Sequence, residues 1–413
     1  MAQSPRMSVF LDLIRAQFPA LQREHRGHGV AYFDGPGGTQ VPTAVVAAMT
    51  DYLLHHNANT HWHYPTSVET DASIADARAT LATFLNAAGP AEVSFGQNMT
   101  TITLHLARAL ARGWVAGDEI VVTELDHHAN IDPWRHAARD HGLTVRTVRL
   151  DPTRTRLDLD ALDAVLGPRT RLVAVGAASN AIGTITDVAD VARRAHAAGA
   201  LVFVDAVHYA PHVLVDVGAL ECDFLACSAY KFYGPHIGVL WGRHALLQAL
   251  DLPKLRPAPD APPDALETGT QSHESMAGAA AAVRFLAGQS EATGAELRAA
   301  LSARFDRLHE RAHTITTRLW HGLQDIPGVT CYGVPPDDPR TPTVSFTLEG
   351  WPSDEVSRRL ADGGVFASSG DFYASTLVER LGVRTTGLLR VGCACYTSDD
   401  EVERLLDGVA RIA

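Results

Sequence analysis

Lys231 sits in the stretch FLACSAYKFYGPHIGVLWG, after an apolar run and before a turn built from Gly234 and Pro235. A lysine there can mark nothing more than the end of a buried strand. It can also be an amine placed for chemistry, which only its company along the chain can decide. Asp205 closes a second apolar run, LVFVDA, and His208 follows it. A carboxylate at the C-terminal end of a parallel strand lies on the edge where open α/β sheets keep their ligands. Asn98 in SFGQNMTTITLHLARAL, His127 in ELDHHANIDPW and Asn180 in AASNAIGT stand in the same relation to β-rich runs. Any one of these alone is explained as a cap or turn residue, but several converging from strand ends describe a site.

The elements that must position them are legible as alternation. Apolar, β-rich runs at 119–125, 144–150, 171–178, 200–206, 223–229 and 237–242 are expected strands, separated by helical stretches such as 189–199. Strands rich in Val and Leu on both faces predict a mostly parallel sheet covered on both sides, a three-layer α/β core. The stretch 254–269 carries Pro257, Pro259, Pro262 and Pro263 and is expected to be an irregular connection. Beyond it come a long helical region at 275–324 and a smaller α+β C-terminal domain. There 341–350 and 387–396 read as strands, and 353–364 and 398–412 as helices opened by serine and acidic residues. The expected division is an N-terminal segment 1–44 packing with the small domain, a large domain 45–275 and a small domain 276–413.

Composition limits the functions to consider. Of 413 residues, 46% are hydrophobic and 20% charged, which suits a folded globular protein with ample core. A net charge of −12 argues against nucleic acid and anionic membranes as partners. No stretch reaches the roughly 18 uninterrupted apolar residues of a membrane span. The N-terminal pattern, broken by Asp12, Arg15 and Gln17, reads as an amphipathic helix rather than a signal peptide. Five cysteines without CxxC spacing suggest neither a disulfide framework nor a zinc site, and a reducing cytoplasm is expected. The histidines of HWH at 61–63 and the pair His127 and His128 lack further signalled ligands, so no metal is expected. GPGG at 35–38 is too short for a phosphate-binding fingerprint and is expected to be a turn near the mouth of the site. The missing glycine fingerprint also disfavours a nicotinamide oxidoreductase.

Pyridoxal phosphate needs a lysine amine, a carboxylate for its pyridine nitrogen and a phosphate cradle. Lys231, Asp205 and the 97–101 turn opening a helix near Thr100 supply these. His127 can stack on the ring, and His208 and Asn180 can hydrogen-bond its hydroxyl oxygen.

The motifs AYFDGPGGTQVP, SVETDASIADAR, MTT, ELDHHANIDPW, SNAIGT, VDAVH, CSAYKFYGPHIGVLWGR, ETGTQSHE and LLRVGCACYTSDDEVERLL extend over nearly the whole chain. In these the sequence resembles the class V aminotransferase family of fold type I pyridoxal-phosphate enzymes, in its cysteine-desulfurase-like branch. The resemblance implies Lys231 as the Schiff-base lysine, Asp205 on the pyridine nitrogen and His127 on the ring. It also implies Asn98, Met99 and Ser228 near the phosphate, Arg390 as clamp for the substrate carboxylate, and a homodimer in which Thr270 reaches the partner's phosphate. Tyr230 stands where many relatives have histidine, and His208 where many have glutamine. Desulfurases of this family carry a persulfide-forming cysteine on a C-terminal-domain loop. Here the matching loop, 366–381, has no cysteine and places Tyr373 near that position. The expected reaction passes through an external aldimine and carbanion of a small amino acid, with C–S lyase chemistry lacking a persulfide carrier. Transamination, epimerisation, decarboxylative or aldol carbon–carbon bond formation, and a non-catalytic cofactor-binding relative remain as alternatives.

Overall fold

Strands buried on both faces require cover on both sides, and the large sheet shows how this chain supplies it. The computed structural model describes residues 5–413, with side chains from Val9 onward; residues 1–4 of the expected N-terminal segment lie outside the described residues. Seven strands, β1 Val93–Gly96, β2 Glu119–Thr123, β3 Thr144–Val148, β4 Thr170–Gly176, β5 Leu201–Asp205, β6 Phe224–Ser228 and β7 Gly238–Gly242, form one sheet. Its order is β1-β7-β6-β5-β4-β2-β3, with β7 antiparallel to both neighbours and every other pairing parallel. In β5, Val202 and Val204 join one apolar cluster, with helix Val188–Ala197, while Phe203 joins the other, with helices Met99–Ala111 and Asp132–His141. The sheet is thus the middle of three layers.

All six expected strands are present, with ends within two residues of their expected bounds. β1 was not expected. It is four residues long, ends in glycine and sits at an edge, too short to show a period of its own. The expected helical region 275–324 is two helices, His273–Ala287 and Gly294–Gln324. Gly288, at φ 69°, closes the first in the left-handed conformation that suits glycine. That first helix packs on helices Thr43–Asp51 and Pro65–Leu85, on the large-sheet side of the molecule. The second bridges the cores: Leu297, Leu301 and Phe305 enter the large one, Ile315, Leu319 and Leu323 the small one.

The smaller sheet comprises β8 Val329–Tyr332, β9 Thr343–Leu348, β10 Ser368–Gly370 and β11 Leu388–Gly392, in the antiparallel order β8-β9-β11-β10. Ser398 caps helix Asp399–Ala410 in a reciprocal capping box with Glu401. At the other C-terminal helix Pro352, not Ser353, holds the cap position, and Ser353 is the first helical residue. The N-terminal segment meets this domain through pairing of Ala31–Tyr32 with Val365–Phe366 and an Arg15–Glu401 ion pair at 3.0 Å.

The strand ends that matter lie on one edge, because Ser228 at the end of β6 is in register with Gly238 at the start of antiparallel β7. A Cβ at Gly238 would stand 2.5 Å from the carbonyl carbon of Asn98 and 2.7 Å from Ile102 Cδ1, so glycine lets the start of helix Met99–Ala111 rest on the sheet. Gly238→Ala is therefore expected to lower unfolding free energy by about 1–3 kcal/mol in urea titrations. Gly29→Ala, where nothing lies within 4 Å, should leave it almost unchanged.

Candidate active site

A cleft of about 1160 Å³ opens at this edge, between the two domains. It gathers Asp205 from β5, Ser228 from β6, Tyr230 and Lys231 from the turn after β6, and Asn98 and Met99 from the helix start. His127, Asn180 and His208 enter from the loops after β2, β4 and β5, and Tyr373 and Arg390 from the small domain. Thr270 is the exception. It is exposed and lines a neighbouring hollow with Gln97, His105 and Gln271.

Lys231 Nζ donates to Gly37 O at 3.0 Å and to Pro36 O, and lies 4.8 Å from the centre of the Tyr230 ring. Burial, then the nearby Arg390 cation, pulls its pKa from 10.5 down to about 7, against the opposing pull of Asp205 and Asp34. A substantial fraction of this amine is neutral at pH 7, as a nucleophile requires. Asp205 accepts from Val207 N at 2.9 Å, and burial raises its carboxyl to about 6. A cation placed against it would hold it ionised.

His127 Nδ1 accepts from Ala129 N at 2.9 Å, which leaves any ring proton on Nε2. Burial, then Lys231, His128 and Arg390, lowers its pKa to about 4, so it offers a flat neutral ring. Asn98 caps the helix by accepting from Thr101 N at 2.9 Å, and Met99 N donates to Ser228 Oγ at 3.0 Å. The positive end of a 13-residue helix therefore faces the cleft, as an anion cradle requires.

His208 is 3% exposed, and burial keeps it neutral. Its Nε2 is shared between Thr341 and Thr343 hydroxyls at 3.0 and 3.1 Å, leaving only Nδ1 for a ligand. Arg390 is 4% exposed; burial lowers its pKa to about 9, still charged at neutral pH. Its Nη1 donates to Asn180 O at 2.9 Å, and its guanidinium lies 4.0 Å from the centre of the Phe372 ring. Tyr373 is 74% exposed, with its ring 5.4 Å from that of His127 at 30°.

Several contributors were not expected from sequence. The turn at 35–38 was expected near the mouth, but not that its carbonyls hold Lys231. Asp126, pushed up to about 7 by burial, accepts from Gly176 N at 2.9 Å and from Asn130 Nδ2 at 2.8 Å, fixing the His127 loop against β4. Its place directly before the paired histidines was the available signal. His236 stacks on Tyr230 at 4.9 Å and 12°. Nothing local to Phe372 announces its meeting with Arg390. Among the described residues, no group of three or more His, Cys, Asp or Glu side chains is arranged to hold a metal.

The family model for Aminotransferase class-V matches residues 31–405. This chain belongs to the class V aminotransferase family. It is 33% identical over 418 residues to a cysteine desulfurase of Dickeya dadantii (strain 3937), covering 97% of this chain and 96% of that one. The apo cysteine desulfurase of Thermococcus onnurineus NA1 superposes with a TM-score of 0.87 at 27% identity, covering 100% of this chain and 98% of that chain. The cysteine desulfurase CsdA (S-sulfonic acid) of Escherichia coli does so with a TM-score of 0.84 at 29% identity, covering 97% and 98%. Class V aminotransferases are pyridoxal-phosphate enzymes, and this chain is one of them.

The residues present fit that cofactor. A partly buried amine of lowered pKa, a buried carboxylate, a neutral imidazole face and a capped helix start share one cleft, and Asn180 Oδ1 and Arg390 Nε are buried there without partners among the described residues. The low Lys231 pKa has a direct consequence. The rate at which cofactor-free protein captures pyridoxal phosphate should rise with pH through a midpoint near 7, as the neutral amine forms. Stopped-flow absorbance checks this, and a midpoint near the ordinary lysine value would contradict it.

Proposed function

We propose that this enzyme cleaves the C–S bond of cysteine or a similarly small sulfur amino acid and releases the sulfur directly as a small molecule. The observation that carries the reading is the state of the thiols. None of the five cysteines lines the cleft, and burial raises each to a pKa of about 12, so none is a thiolate poised to accept sulfur. The segment 366–381 instead presents Tyr373 above His127.

Pyridoxal phosphate, when bound, supplies an aldehyde carbon that captures amines and a ring that accepts electrons from the substrate α-carbon. The chain's own groups do the rest. Lys231 would be the residue that holds the cofactor, and its neutral amine would take the proton from the substrate α-carbon. Asp205 would pair with the ring nitrogen and favour its protonated form. His127 would cover the ring face, Asn98, Met99 and Ser228 would hold the phosphate, and His208, Asn180 and Tyr230 would surround the ring. Arg390 orients the substrate carboxylate, and Tyr373 bounds the pocket over the side chain. The α-proton goes to Lys231, the sulfur departs with the C–S bonding electrons, and hydrolysis leaves pyruvate and ammonia.

The assembly we infer is a homodimer in the cytoplasm. Thr270, exposed and outside its own cleft, is suited to completing a partner's site. Exposed Val46, Leu53, Leu54, Trp62, Tyr64 and Val68 offer apolar surface for that contact. Among the described residues no helix is long and apolar enough to cross a membrane.

Incubation with cysteine tests the reaction. Sulfide with pyruvate is expected, whereas alanine with a stoichiometric protein persulfide, read by mass spectrometry, would overturn the proposal. Asp205→Asn should retain cofactor yet lose roughly 100-fold or more in turnover, as expected when a group that tunes proton transfer is removed. Full activity of that variant would reduce Asp205 to a strand-end residue.

A further inference from the structure

Arg390 is held by a closed circuit of three contacts. Its Nη1 donates to the carbonyl of Asn180 at 2.9 Å, the Asn180 side chain donates to the carbonyl of Phe372 at 2.9 Å, and the Phe372 ring lies 4.0 Å beneath the guanidinium. With Nη1 committed and Nε buried without a partner, Nη2 is the end left beside Gly37, which also lines the cleft. The ring fixes the plane in which that end is presented, and plane matters because a guanidinium meets a carboxylate through coplanar N–H groups.

Phe372 reaches this place at a conformational cost. It and Tyr373 both adopt left-handed backbone, at φ 56° and 57°, which non-glycine residues rarely do in succession. The strained pair is secured by His128 of the large domain and by Asp371 of its own turn. His128 N donates to Tyr373 O at 2.7 Å, Tyr373 N donates to Asp371 Oδ1 at 3.0 Å, and the His128 ring, itself paired with Asp132, meets Ser375 and Thr376 hydroxyls at 3.0 and 3.1 Å.

We propose that Phe372 is a positioning residue for the substrate-carboxylate clamp, so that the conformation of residues 371–376 and recognition of the carboxylate form one device. The inference rests on Arg390 being that clamp. Substrates bearing an α-carboxylate gain from the aligned guanidinium, and amines lacking one do not. Selectivity for amino acids over simple amines is therefore set in part by an aromatic ring that touches neither reacting atom.

The test compares L-alanine with ethylamine, titrated into holoprotein and read by cofactor absorbance. In Phe372→Leu, which removes the flat ring but keeps bulk, the affinity ratio of alanine to ethylamine should fall roughly 3- to 30-fold, the range of a cation–π contact. Phe372→Tyr should restore it. An unchanged ratio, whether both affinities fall equally or neither moves, would overturn the proposal. A second arm needs no cofactor: in the cofactor-free protein, phenylglyoxal should modify Arg390 faster in Phe372→Leu than in the parent, with Phe372→Tyr at the parent rate. Equal rates in all three would also overturn it. Should wild-type holoprotein respond to no amino acid, the proposed function fails, and the modification rates alone still decide whether Phe372 shields and orients Arg390.

Discussion

Two basic side chains, the partly buried Lys231 and the buried Arg390, share one cleft, and most of the site follows from making that tolerable. Removing a cation from water is unfavourable, which is why burial lowers both pKa values, and the nearby Arg390 cation lowers that of Lys231 further. The chain offsets this with oriented oxygen atoms rather than tight ion pairs. Pro36 and Gly37 turn their carbonyls to Lys231, Asn180 turns its own to Arg390, and Asp205 and Asp34 supply negative charge at longer range. A tight ion pair would stabilise the ammonium and abolish its nucleophilicity; carbonyl oxygens hold the amine in place and leave it free to lose a proton.

These oxygens come from distant parts of the chain, so the chemistry depends on how the two domains are joined. The seam is close-packed beside the site. Gly183, at φ 79°, lets the loop after β4 lie against β9, where a Cβ would stand 2.5 Å from Thr343 O. Ser345 Oγ donates to Ala181 O, and His208 engages Thr341 and Thr343 across the same seam. Arg390 lies in β11, opposite Ser345 and Ser368, so the position of the guanidinium is set by small-domain pairing while its partner Asn180 belongs to the large domain.

The segment at 371–376 closes one side of the cleft with Asp371, Phe372 and Tyr373. It is fastened by backbone and side-chain contacts to His128 and Asn180 and presents aromatic rings to the cleft. The His127 ring lies beside that of Tyr373, and Asp126, directly before it, ties its loop to Gly176 in β4 and to Asn130.

The sequence by itself determined the layered sheet, because strands buried on both faces must be written as apolar runs, and runs such as LVFVDA carry that requirement in their composition. It also marked Lys231, Asp205, His127, Asn98 and Asn180, since polar residues closing apolar runs fall on the ligand-bearing edge of a parallel sheet. Strand β1 escaped because four residues show no period, and the break at Gly288 because one glycine inside an alanine-rich stretch is a weak signal. What only the tertiary structure decided are contacts between segments far apart in the chain: the carbonyls of Pro36 and Gly37 on Lys231, the threonines on His208, Phe372 beneath Arg390, and Thr270 lying outside its own cleft. The reason is physical. Burial of an apolar run is a property of the run, whereas the field that lowers an amine's pKa, or the plane in which a guanidinium is held, depends on three-dimensional neighbours that no local pattern encodes.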